Sequence, residues 1–175
     1  MASPVMRYFE RQGWTRNQAS GIAANIQAES GFNPRAVGDG GEARGVGQWH
    51  PERQAQFNAW ARRNRLPDLA HARLMEQLRY YNYELRHSFA GRKLAQTHGA
   101  YAAGGVVSRY DERPADGAAQ AAARGALAME IAGPPPAPVQ VSVQTTVHRD
   151  GASSTRVRTP QGVKVVHTSP VYGVG

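Results

Sequence analysis

A chain of 175 residues can bury one sizeable hydrophobic core and carry an appendage, but it is short for two full domains. It has no cysteine, which excludes disulfides, thiolate nucleophiles and thiolate zinc sites, and no apolar run near the roughly 20 residues of a membrane span. The formal net charge of +8 favours anionic partners such as nucleic acid or the acidic polymers of a cell envelope, although arginine on solvated faces gives the same total.

The opening segment, Met1 to Glu10, lacks the basic start, apolar stretch and cleavage site of a signal peptide. A role at a cell wall is therefore expected to depend on delivery by another route. Ser3 before Pro4 predicts a helix start, with Gly13 ending that helix. Thr15 and Gln18 have the spacing of a capping box, and Ala19, Ile22, Ala23 and Ile26 behind it predict a second helix to about Glu29. Gly31 to Gly47 is glycine-rich and aperiodic, hence a loop. Helix resumes at Pro51 and runs to about Arg65, where Leu66-Pro67-Asp68 breaks it. Leu69, Leu74, Leu78, Tyr81 and Leu85 predict one long amphipathic helix. Gly104-Gly105 and Pro114 punctuate two further helices, the last alanine-rich from about Ala115 to Ala132.

At Gly133-Pro134-Pro135-Pro136-Ala137-Pro138 the character changes, which predicts a stiff, extended linker over 133–138 between a helical domain, 1–132, and an appendage, 139–175. In the appendage Val139, Val141 and Val143 alternate with polar residues, and Asp150-Gly151 is a turn signal. Val157, then Val163, Val165 and His167, extend this to an antiparallel hairpin or three-stranded meander. So small a sheet has too little apolar surface to stand alone, so residues 139–172 are expected to pair with another chain or with copies of this one.

Ile22, Ile26 and Glu29 fall on one helical face, three and four residues apart, with Glu29 at the C-terminal rim of the buried stripe. Burial and the negative end of the helix dipole both disfavour the ionised carboxylate, so Glu29 is expected to hold a proton toward neutral pH. A glycosidase needs such a group to protonate a leaving oxygen. The plain alternative is a carboxylate bonded to a nearby arginine or backbone amide.

The blocks around Glu29 weigh against that alternative. Glu29-Ser30-Gly31-Phe32-Asn33-Pro34-Arg35-Ala36, followed by a glycine-rich stretch ending in Gln48-Trp49, resembles the signature of the goose-type lysozyme and lytic transglycosylase superfamily. More narrowly it resembles the phage tail lysozyme family, as do Met6-Arg7-Tyr8-Phe9, Gly13-Trp14-Thr15, Gln18 to Ile22, Ala36 to Gly41, and Arg109 to Ala115. The likeness covers roughly Met6 to Ala132 and stops before the proline segment. It implies a mainly α-helical, lysozyme-like fold in which a small β-hairpin forms one wall of a cleft; with the strand appendage that the alternation after Pro138 predicts, the expected fold class is α+β. The likeness also implies that Glu29 is the catalytic acid acting on peptidoglycan glycan strands, in a phage particle that works at the host cell wall. Tyr101, in Ala100-Tyr101-Ala102, resembles the tyrosine that lies over the catalytic Glu in lytic transglycosylases. Ala102 stands where that motif has Asn, and a core tyrosine is the weightier reading.

The remaining site candidates follow from their chemistry. Gln48 offers an amide donor and acceptor to sugar groups, and Ser30 a hydroxyl beside Glu29 or a cap for the helix exit. Trp49 can stack on a sugar face or sit in the core. If water attacks the anomeric carbon, a second carboxylate about 6.5–9.5 Å from the acid activates it, and Asp39 ranks before Glu42 for that role. If the muramic 6-hydroxyl attacks instead, Glu29 serves as acid and then base, and the enzyme is a lytic transglycosylase. Asp39-Gly40 is also ordinary turn chemistry. His50, His71, His87 and His98 have no zinc-like spacing, so neither metal nor cofactor is expected. The competing class is a non-enzymatic virion adaptor, or a nucleic-acid-binding protein, that keeps a lysozyme fold; the intact Glu29 block speaks against it.

Overall fold

Local chemistry starts the first two helices where their residues direct. In the computed structural model, which describes residues 3–112, 117–134, 142–148 and 153–158, Ser3 Oγ accepts the Val5 amide at 3.3 Å and Pro4 opens helix α1, Pro4–Arg11. Gly13 ends this unit in the left-handed region, φ +87°. Helix α2, Arg16–Ser30, begins with the complete capping box: the Gln18 amide donates to Thr15 Oγ1, and the Thr15 amide donates to Gln18 Oε1. Gly31, φ +59°, closes it with its N–H on the Gln27 carbonyl at 2.8 Å.

A two-stranded antiparallel hairpin follows, β1 (Val37–Gly38) and β2 (Ala43–Arg44), with Val37 opposite Arg44 and Gly38 opposite Ala43. Then come α3 (Pro51–Arg63), α4 (Leu74–His87), α5 (Phe89–Ala95), α6 (Ala100–Val107), a wider π-type turn over Ser108–Glu112, and α7 (Gly117–Ala132). The protein is therefore mainly α-helical with a small β-hairpin, and a second hairpin lies near the C-terminus. Among the described residues no helix is long and apolar enough to cross a membrane.

Two helix boundaries differ from the sequence reading for physical reasons. The amphipathic helix starts at Leu74, not Leu69; Leu69 is buried in the preceding loop, where Asn58 Oδ1 accepts its amide at 2.8 Å. Gly104 and Gly105 lie inside α6 and do not interrupt it. They are there for closeness: a Cβ on Gly104 would overlap the carbonyl oxygen of Arg124 on α7. Gly21 does the same on α2, where a Cβ would come 2.6 Å from the Ala103 carbonyl carbon. The α2, α6 and α7 trio thus packs on small residues, with Ala24, Ala100, Ala128 and Ala132 forming its apolar seam. Buried Asn25 locks that seam, donating to the carbonyls of Gly21 and Gly104 at 2.8 and 3.0 Å.

The larger core gathers Met6 and Phe9 of α1, Ile22 and Ile26 of α2, Trp49, Phe57, Tyr80, Tyr81, Leu85 and Leu94. Its aromatic centre places Trp49 5.5 Å from both Phe57 and Tyr80, tilted toward the first and edge-on to the second. Burial, with the Glu84 carboxylate nearby, raises the Tyr80 hydroxyl above its ordinary titration range, so it stays neutral.

The chain divides into two compact units between Pro134 and Pro135, inside the proline segment. In the second unit β3 (Ser142–Val147) pairs antiparallel with β4 (Ser153–Arg158), with Val143 opposite Val157. Val143 and Val147 are exposed. Val139, Val141, the Asp150-Gly151 turn and the third strand expected around Val163, Val165 and His167 lie outside the described residues.

Candidate active site

Glu29 is the penultimate residue of α2, one turn beyond the Ile22 and Ile26 core contacts. Its side chain is 23% exposed, and its Oε1 accepts a hydrogen bond from Arg124 Nη2 of α7 at 2.9 Å. Arg124 is 16% exposed, and its Nε is buried with no acceptor. The nearby-arginine alternative weighed from the sequence is thus physically present, and its partner comes from 95 residues away. Nothing in the local pattern around Glu29 pointed to it. The available signal was a solitary cation in the run Ala121-Ala122-Ala123-Arg124-Gly125-Ala126.

The helix end is tied to the hairpin that follows. Ser30 Oγ donates back to the Ile26 carbonyl at 2.9 Å and lies 3.2 Å from the Val46 carbonyl, so it links α2 to the loop after β2. Gln48, half-buried with φ +43°, donates its amide N–H to the Gly45 carbonyl at 3.0 Å. Its Oε1 occupies the space that a side chain at Gly38 would fill, so Gly38 lets the amide rest against the hairpin. Gln77 was not singled out from the sequence, yet it holds the whole segment. Fully buried on α4, it accepts the Val46 amide at 2.9 Å and donates to the carbonyls of Pro34 and Ala72. A glutamine beside Leu78, on the inward face of an amphipathic helix, was the sign of it.

Trp49 is placed in the core, not the cleft. It is 0% exposed, its indole N–H donates to Glu84 Oε2 at 2.8 Å, and it presents no face to a sugar. Arg53 clamps the same carboxylate through two contacts of 3.0 Å. The Trp49 backbone bridges antiparallel to Arg44, closing the turn Gly45 to Gln48. Tyr101 goes the other way: it is 49% exposed, so it is not a core tyrosine. Its ring lies against α7 where a Cβ on Gly125 would strike it, one residue beyond Arg124.

Asp39 stands at the hairpin tip with φ +48°, in a short 3-10 turn with Gly40 and Gly41. Its carboxylate is 67% exposed and lies 3.0 Å from His50 Nε2. Glu42 is exposed, its backbone N–H on the Asp39 carbonyl. Of the other histidines, His71 pairs with Asp68 at 2.7 Å and His87 Nδ1 lies 2.7 Å from the Tyr83 carbonyl. The structure thus joins Glu29, Ser30, the hairpin wall and Gln48 through Gln77 and Val46, and adds Arg124 to the set. Among the described residues no hydrogen bond or ion pair joins the Asp39 carboxylate to Glu29, Ser30, Gln48 or Arg124.

No curated protein matches the chain. A family model described as phage tail lysozyme matches residues 1–133, which takes in every helix from α1 to α7. The chain belongs to the phage tail lysozyme family, and with it to proteins of lysozyme-like hydrolytic role.

Proposed function

We propose that the protein is a virion-associated muramidase that cleaves the MurNAc-GlcNAc β-1,4 bond of peptidoglycan, with Glu29 as the general acid. The observation that carries this is the Glu29 carboxylate itself: largely covered, at the end of α2, with one oxygen held by Arg124 and the other without a hydrogen-bond partner among the described residues. Glu29 gives its proton to the bridging oxygen as the anomeric C–O bond breaks. In the hydrolytic reading Asp39 then takes a proton from the water that attacks the opposite sugar face, with His50 holding its carboxylate. Ser30 and Gln48 fix the hairpin wall, and the exposed ring of Tyr101 is available to the glycan. Trp49 has no place in this list.

The second reading, a lytic transglycosylase acting on the same bond, draws support from the exposure of Asp39. A carboxylate so open to water is weakly held, and intramolecular attack by the 6-hydroxyl needs no second carboxylate. Asp39→Asn separates the two. Hydrolysis through Asp39 predicts a fall of about 10²-fold in muropeptide release, with reducing ends in the wild-type products. Unchanged release with 1,6-anhydro ends assigns the protein to the transglycosylases instead. Release by neither wild type nor variant leaves the structural, adaptor reading.

Residues 139–172 are the proposed tether to tail or other virion proteins, in several copies. A two-stranded hairpin with exposed Val143 and Val147 is marginal on its own and gains by adding strands from a partner. Truncation after Gly133 is expected to leave soluble activity and abolish incorporation into particles, scored by immunoblot of purified virions. Normal incorporation of the truncated chain would contradict the tether.

A further inference from the structure

We infer that Arg124 is a positioning residue for the reaction, acting through Glu29; the inference rests on Glu29 being the proton donor. Arg124 is the only cation of α7, whose inward face is otherwise Ala121, Gly125, Ala128 and Ala132. Its backbone is fixed by glycine contacts, since Gly104 admits its carbonyl and Gly125, next in the chain, admits the Tyr101 ring. From that anchor the side chain runs under cover to Glu29 and leaves its Nε buried without an acceptor. An unpaired buried N–H is unfavourable, so packing alone does not account for an arginine here.

The chemistry of the contact does. A guanidinium has only N–H donors, so the oxygen it holds, Oε1, acts as an acceptor, the role that suits the carbonyl oxygen of a carboxylic acid better than its hydroxyl oxygen. In the acid form Arg124 thus favours the proton on Oε2, the oxygen it does not hold. When Oε2–H breaks and the proton passes to the bridging oxygen, a negative charge appears on the carboxylate at the moment the C–O bond cleaves. Arg124 is already in place to stabilise it, without reorganisation. In the transglycosylase reading the same Oε2 then accepts the proton of the muramic 6-hydroxyl; in the hydrolytic reading Asp39 takes the water proton and Oε2 acts only as the donor. The guanidinium thus selects which oxygen works and steadies the charge it acquires.

Two variants and two substrates test this. Arg124→Met keeps length and removes every donor; Arg124→Lys keeps the charge but not the planar fork. On peptidoglycan, Arg124→Met is expected to lower kcat about 10–100-fold with KM within about two-fold, and Arg124→Lys to recover part of the loss. On an aryl β-glycoside of a short GlcNAc–MurNAc oligomer, whose phenolate departs without a proton, the loss is expected to shrink to a few-fold. A merely structural arginine would give equal losses on both substrates, and a substrate contact would move KM; either result overturns the inference. Should the Met variant fail to fold, the Lys variant carries the comparison: a larger loss on peptidoglycan than on the aryl glycoside supports the role, and equal losses end it. Glu29→Gln separates this from its premise, because undiminished activity in that variant removes Glu29 as the acid whatever Arg124 does.

Discussion

Glu29→Gln is expected to lower peptidoglycan cleavage by about 10²–10⁴-fold while leaving the fold intact. The loss follows from chemistry: an amide cannot supply a proton to the bridging oxygen. Retention of the fold follows from geometry, since the glutamine carbonyl can still accept the Arg124 Nη2–H that Oε1 accepts at 2.9 Å. Glu29→Ala is a poorer probe, because it leaves a largely covered guanidinium without a partner and confounds chemistry with stability. Clearing of purified sacculi gives the rate, and thermal unfolding gives the fold. A Gln variant that clears sacculi as fast as wild type, or that melts far below it, contradicts this account of Glu29.

Trp49→Ala carries the largest expected effect on stability, about 3–5 kcal/mol. The ring is 0% exposed and touches Phe57, Tyr80 and Tyr81, so its removal opens a cavity in the centre of the larger core. It also strips one donor from the mostly buried Glu84 carboxylate, which Arg53 holds as well. Trp49→Phe keeps most of the ring and forfeits the indole N–H, which places its loss nearer 1–3 kcal/mol. Urea unfolding orders the three proteins. If Trp49 stacked on sugar instead, both variants would unfold like wild type and differ from it in KM.

These two residues show what the sequence could and could not disclose. Caps are written in adjacent residues, so Ser3-Pro4 and the Thr15 and Gln18 pair located α1 and α2 closely. The helical register of Ile22, Ile26 and Glu29 likewise needed only a periodicity, and it placed Glu29 at the end of α2. Features that depend on distant parts of the chain were hidden. Gly104 and Gly105 look like breakers until α7 is brought against them, and then they are contact residues within a helix. Trp49 sits beside the motif glutamine, and only the meeting of α3 and α4 shows that its ring points inward. Arg124 is one arginine among many in a chain of charge +8, and its meaning rests on a contact across 95 positions. Gln77 was legible in principle, because a glutamine on an inward helical face needs partners, and the loop backbone at Pro34 and Val46 supplies them.

Whether Glu29 drives cleavage of the glycan strand is decided by mass spectrometry of the material released from purified sacculi by wild type and by Glu29→Gln. Muropeptides cut between MurNAc and GlcNAc are expected from the wild-type protein and almost none from the variant. Release of the same products by both, or products cut in the peptide stems with the glycan intact, would contradict that role of Glu29.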